Sequence, residues 1–119
     1  MTLLKIVDLG SGYIMKEIVY NKLVRDKIPG IIEADGKTCE IETLSDEEYL
    51  KMIDAKLDEE LAEYHKEQNL EELADLLEVV RTAAIARGYS VEDLEMLRES
   101  KMEKRGGFQK RILLKKVVE

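Results

Sequence analysis

Apolar positions recur every three to four residues through the middle of this chain. Leu50, Ile53, Leu57, Leu61 and Tyr64 mark one stripe; Leu73, Leu76, Leu77, Val80 and Ala84 mark a second. That period predicts two amphipathic helices. Ser45 with Glu48 has the spacing of a capping box at the start of the first, and Asn69 with Glu72 repeats it for the second. Gly88 closes the second helix. Ser90 caps a third, which carries Leu94 and Leu97 and ends before Gly106 and Gly107. Upstream, residues 20–32 begin as a basic helical turn that Pro29 and Gly30 stop. Asp35-Gly36 is a turn signal, and residues 37–44 alternate in the manner of one short strand. Residues 108–118 alternate loosely, as a closing strand or an extended arm. The predicted fold is mainly all-α: an antiparallel helical hairpin or bundle of about three main helices with one or two short peripheral strands.

Composition sharpens this picture. A chain of 119 residues, 45% apolar and 38% charged, has room for one folded domain. Five Tyr, one Phe and no Trp leave the core to aliphatic side chains. So small a core favours pairing of helices between subunits, as a homodimer or larger homo-oligomer. Cys39 is the lone cysteine, which fits a reducing compartment and excludes an internal disulfide. No apolar run approaches the roughly 20 residues of a membrane helix, and residues 1–14 lack the basic start and apolar centre of a signal peptide. Met15 is an alternative start, which makes residues 1–14 a leader or extension ahead of a domain spanning 15–119. The expectation is a soluble cytoplasmic protein.

Net charge is −7, which argues against binding duplex nucleic acid, since such proteins neutralise phosphates with Lys and Arg. The charge is also segregated. Residues 45–78 hold thirteen Asp or Glu and three Lys, whereas residues 101–116 hold seven Lys or Arg and one Glu. Solvated helix faces and basic tails give a bland account of this. The spacing of the acids suggests another.

Glu60 and Glu63 are three residues apart, as are Glu72 and Asp75, so each pair shares a helix face. At about 100° per residue, Lys56, Glu60, Glu63 and Glu67 fall on one flank of the first stripe. If the two helices fold back through the short connection at residues 67–69, residues at equal height keep a constant index sum. Glu60 then faces Asp75 and Glu63 faces Glu72, across helix axes about 8–10 Å apart. Converging carboxylates repel, and oxygen-only ligands suit a hard cation such as Mg²⁺, Mn²⁺ or Ca²⁺. An exposed acidic face is the alternative, as is Glu72 being spent on the capping box. Glu59 is a water-orienting group beside the cluster or an exposed residue.

These residues carry a resemblance. Glu59-Glu60-Leu61-Ala62-Glu63 with Glu72-Leu73-Ala74-Asp75 resembles the EExxE…ExxD signature of MazG-type all-α nucleoside triphosphate pyrophosphohydrolases. The NKLVRDKIP block, Asn21 to Pro29, and Arg105-Gly106-Gly107-Phe108 are similar to the phosphoribosyl-ATP pyrophosphohydrolase-like branch. EExxE alone is weak, but together with ExxD and the NKLVRDKIP block it is specific, and the resemblance runs from about Tyr20 to Leu113, nearly the whole domain. The resemblance implies an oligomeric helical core and Mg²⁺-dependent hydrolysis, with Mn²⁺ as a substitute. The α–β phosphoanhydride bond of a nucleoside triphosphate, non-standard ones being candidates, would yield a monophosphate and pyrophosphate. Glu60, Glu63, Glu72 and Asp75 would be the metal ligands, with Glu59 or Glu63 the base that acts on water. Asn21, Lys22, Arg25, Lys27, Lys56, Lys101, Lys104 and Arg105 would meet the substrate. Only eight residues separate Glu63 from Glu72, fewer than in many members of that superfamily.

Two other readings compete. One keeps the chemistry but takes phosphoribosyl-ATP as substrate. The other is a non-catalytic helical dimerisation or metal-binding module whose acidic face meets a basic partner.

Overall fold

The structure is a computed structural model describing residues 3–8, 10 and 14–119, with side chains from residue 16 onward. The fold is mainly helical. An N-terminal antiparallel hairpin, β1 (Leu3–Asp8) and β2 (Ile14–Val19), precedes four helices: α1 (Ile28–Ala34), α2 (Asp46–Glu67), α3 (Leu70–Ala86) and α4 (Val91–Arg105). The hairpin register runs from Leu3 opposite Val19 to Asp8 opposite Ile14, and its β-branched content suits a strand. The sequence pattern predicts no strand at these positions, and the hairpin falls partly in the segment read as an extension. Residues 1, 2, 9 and 11–13 of that segment lie outside the described residues.

The three long helices start where their caps stand. Ser45 Oγ accepts from the Glu48 N–H, Asn69 Oδ1 from that of Glu72, and Ser90 Oγ from that of Asp93. Only Ser90 and Asp93 complete the reciprocal box. At Ser45 and Asn69 the box is half made, so the Glu72 carboxylate is not consumed in capping. The α2–α3 connection is just Gln68 and Asn69, with Gln68 left-handed at φ 51°. This tight turn folds α3 back on α2. It makes α2 with α3 the principal helix pair, with α4 leaning more lightly on α3.

Two expectations need correction. Residues 37–44 form no strand; they run as an irregular link between α1 and α2. Alternation alone cannot make a strand without a partner edge, and among the described residues the chain offers none there. Nor do Pro29 and Gly30 stop a helix: Pro29 lies in the first turn of α1, where the missing N–H is no loss and the fixed φ is helical. Residues 108–118, read as a strand or an arm, are an arm.

Burial is sparse. Among the described residues only Ile53 is buried, at 1% exposure. Leu50, Leu57 and Tyr64 of its stripe are half-buried, while Leu61, Leu73 and Leu77 remain exposed. The radius of gyration is 20.4 Å, against about 13.5 Å for a compact domain of this length. Accessible surface is 11048 Å², where a compact monomer of 13.7 kDa shows about 6,600 Å². Among the described residues, no helix is long and apolar enough to cross a membrane.

Candidate functional site

The α2–α3 hairpin brings acids from both helices together. Oxygens of Glu60, Glu72 and Asp75 lie within 4.8 Å of one another, and all three residues are half-buried. Glu60 comes from the last third of α2 and the other two from the first turns of α3, so the two-residue connection sets their common height. Glu63 stands outside this group, exposed at the surface, but near enough to Glu72 to repel it. Partial burial, and then repulsion from Asp75, Glu63, Glu60 and Glu71, push the Glu72 carboxyl above its ordinary value of 4.5.

Basic residues frame the acids. Arg25 Nη2 donates to Asp75 Oδ1 at 2.7 Å, tying the segment before α1 to α3. Lys56, one turn before Glu60, reaches Glu60 at 3.2 Å and Glu59 at 3.3 Å. Its side chain and that of Glu60 are only 15% and 12% exposed, less than the other ion-paired charges of the site. Lys22 reaches Glu59 from the opposite side at 3.1 Å and lies 5.6 Å from the Tyr20 ring centre. Partial burial raises the Glu59 carboxyl, but Lys22 and Lys56 outweigh it and hold the group below its ordinary value.

Beside this array lies an open groove of about 520 Å³, walled by Asn21, Lys22, Leu23, Met52, Ala55, Lys56, Asp58, Glu59 and Glu63. Asn21 has φ 46°, a left-handed conformation that Asn tolerates better than most residues. It turns the chain so that Lys22 and Leu23 enter the wall.

The structure thus gathers Asn21, Lys22, Arg25, Lys56, Glu59, Glu60, Glu63, Glu72 and Asp75 around one region. It does not gather the rest. Lys27 is the exposed N-cap of α1, and Lys101, Lys104 and Arg105 are exposed on the last turns of α4. Among the described residues no ion pair joins any of these four to the carboxylates. Sequence reasoning passed over Asp58, Leu23, Met52 and Ala55. The run Asp58-Glu59-Glu60 was a visible signal for Asp58; the apolar wall residues carry none.

Comparison with known proteins adds little. No family pattern matches the chain, and no solved structure does. An uncharacterized protein of Mycolicibacterium smegmatis is 62% identical over 42 residues, which span 35% of this chain and 43% of that protein.

Proposed function

We propose that the protein is a divalent-cation-dependent nucleoside triphosphate pyrophosphohydrolase of the MazG-like kind its motifs resemble. The observation that carries this reading is the meeting of Glu60, Glu72 and Asp75 across two helices, beside a groove lined by Lys22 and Lys56. The donor set fits a hard cation. Three carboxylate oxygens leave positions for water and phosphate, which is the habit of Mg²⁺, with Mn²⁺ as an alternative. After partial burial, the upward push on Glu72 comes from the neighbouring acids, whose repulsion a cation would relieve. When bound, the ion would neutralise the acids, polarise phosphate oxygens and acidify water.

The chain's own residues have separable tasks. Lys22, Lys56 and Arg25 meet the phosphate charge, exchanging their present carboxylate partners for phosphate oxygens. Asn21 shapes the groove wall. Glu63 has no ion pair among the described residues and faces the groove, so it is the better base. It accepts the proton of a water whose oxygen bonds to the α-phosphorus. The α–β anhydride bond breaks and pyrophosphate leaves with the bonding pair. Glu59 is held ionised by two lysines, so it is a weak base and a positioning group for those lysines. This chemistry needs mainly alignment and charge stabilisation.

Lys101, Lys104 and Arg105 reach substrate in this reading through assembly of the chain into a homodimer or larger oligomer. A reducing, cytoplasmic setting suits Cys39, which is half-buried without a disulfide partner.

A panel of nucleotides including phosphoribosyl-ATP, incubated with Mg²⁺ and assayed for pyrophosphate, tests the reading. Release from a triphosphate that EDTA abolishes and Glu63→Gln removes, with helicity retained, supports it. Release from phosphoribosyl-ATP alone would reassign the substrate. Absence of pyrophosphate from every nucleotide would overturn the reading.

A further inference from the structure

Every residue of the C-terminal arm, 106–119, is exposed. Phe108 is 97% exposed, Ile112 80%, and Leu113, Leu114, Val117 and Val118 between 68% and 83%. Lys110, Arg111, Lys115 and Lys116 are interleaved with them, and Glu119 is the single acid of the segment. A run of large apolar side chains with so little cover is rare on a monomer. The helical hairpin carries a surface of the opposite kind. Leu70, Leu73 and Leu77 lie at helical spacing on α3 and are exposed; Glu71 and Glu78 lie along one side of them, and exposed Arg81 stands one turn beyond Leu77.

We infer that residues 106–119 form an exchange arm that lies along the Leu70–Leu73–Leu77 face of a second copy of this chain. Apolar side chains of the arm cover the three leucines, and its lysines and arginine meet the acids along that one side. Gly106, at φ 81°, supplies the bend by which the arm leaves α4. Twelve extended residues from Phe108 onward reach about 40 Å, longer than the roughly 25 Å of the 17-residue α3. A symmetric pair would bury one arm and one face on each copy. It would thereby absorb part of the excess surface, 11048 Å² against about 6,600 Å² for a compact monomer. The inference does not depend on hydrolysis, since association is read without nucleotide.

Sedimentation equilibrium of the full chain, alone and as Ile112→Asp/Leu114→Asp, tests the arm. The expected result is a dimer that the double substitution weakens at least about tenfold with helicity unchanged, because the arm lies outside the helices. A second measurement needs no variant. Equal parts of ¹⁵N-labelled and unlabelled protein are joined by a zero-length carbodiimide. Labelled-to-unlabelled links between Lys110, Lys115 or Lys116 and Glu71 or Glu78 are expected. A monomer at all concentrations, a dimer indifferent to the substitutions, or links confined within single copies would each overturn the inference.

Discussion

Arg25 and Asp75 stand fifty positions apart in sequence, yet the guanidinium Nη2 of one donates to the carboxylate of the other at 2.7 Å. The pair fixes the segment ahead of α1 against the first turns of α3, and it places a permanent positive charge at the edge of the acidic cluster. Both side chains are partly exposed, at 58% and 35%, so solvent screens the pair and its direct worth to stability is small.

Replacing Arg25 by Met should therefore lower thermal stability by no more than about 1 kcal/mol. It should also tighten Mn²⁺ binding, because a neighbouring cation is gone, while weakening nucleotide binding. Calorimetric titration of the variant with Mn²⁺, and separately with a non-hydrolysable triphosphate, measures both. Weaker metal binding would show that Arg25 acts mainly by holding Asp75 in place.

Glu72 offers a pH test. Its folded-state pKa is raised, so folding penalises its charge. The penalty is absent below the ordinary value of 4.5, where both states are protonated, develops as pH climbs through the raised value, and is complete above it. Without metal, Glu72→Gln should raise Tm at pH 7 and leave it unchanged below pH 4. With Mg²⁺ present the wild type should gain more than the variant. A lowered Tm at pH 7 would mean that the favourable end of the α3 dipole outweighs the neighbouring acids.

Gln68 holds the left-handed position between the two site helices, at φ 51°. A β-branched side chain fits that conformation worst. Gln68→Val should cost about 1–2 kcal/mol, whereas Gln68→Gly should be neutral or stabilising. Urea denaturation followed by circular dichroism separates the two, and equal stability of both variants would show that the turn adapts.

The helices were legible because their signals are local. Ser45, Asn69 and Ser90 cap where side-chain oxygens can reach the next turn's N–H groups, and the three-to-four spacing of Ile53 and its neighbours needs no tertiary information. The shared height of Glu60 with Asp75 followed from the short link at Gln68 and Asn69. What stayed hidden depends on pairing and context. The alternation of residues 37–44 matched a strand, but a strand requires a partner edge that the described chain does not present there. Pro29 read as a stop because its position relative to a helix start was not visible. The reach of Arg25 to Asp75 and of Lys22 to Glu59 depends on how the first segment lies across the hairpin, which no local pattern records. The apolar wall residues Leu23, Met52 and Ala55 look like ordinary core positions until the groove is seen.

The central claim is that Glu60, Glu72 and Asp75 together hold a divalent cation. Mn²⁺ titration monitored by electron paramagnetic resonance tests it most directly, comparing the wild type with Glu60→Gln/Asp75→Asn. The account predicts one tight site per chain in the wild type, displaced by Mg²⁺, and its loss in the double variant while helicity is kept. A site that survives both substitutions, or Mn²⁺ that stays free beside the wild type, would contradict it.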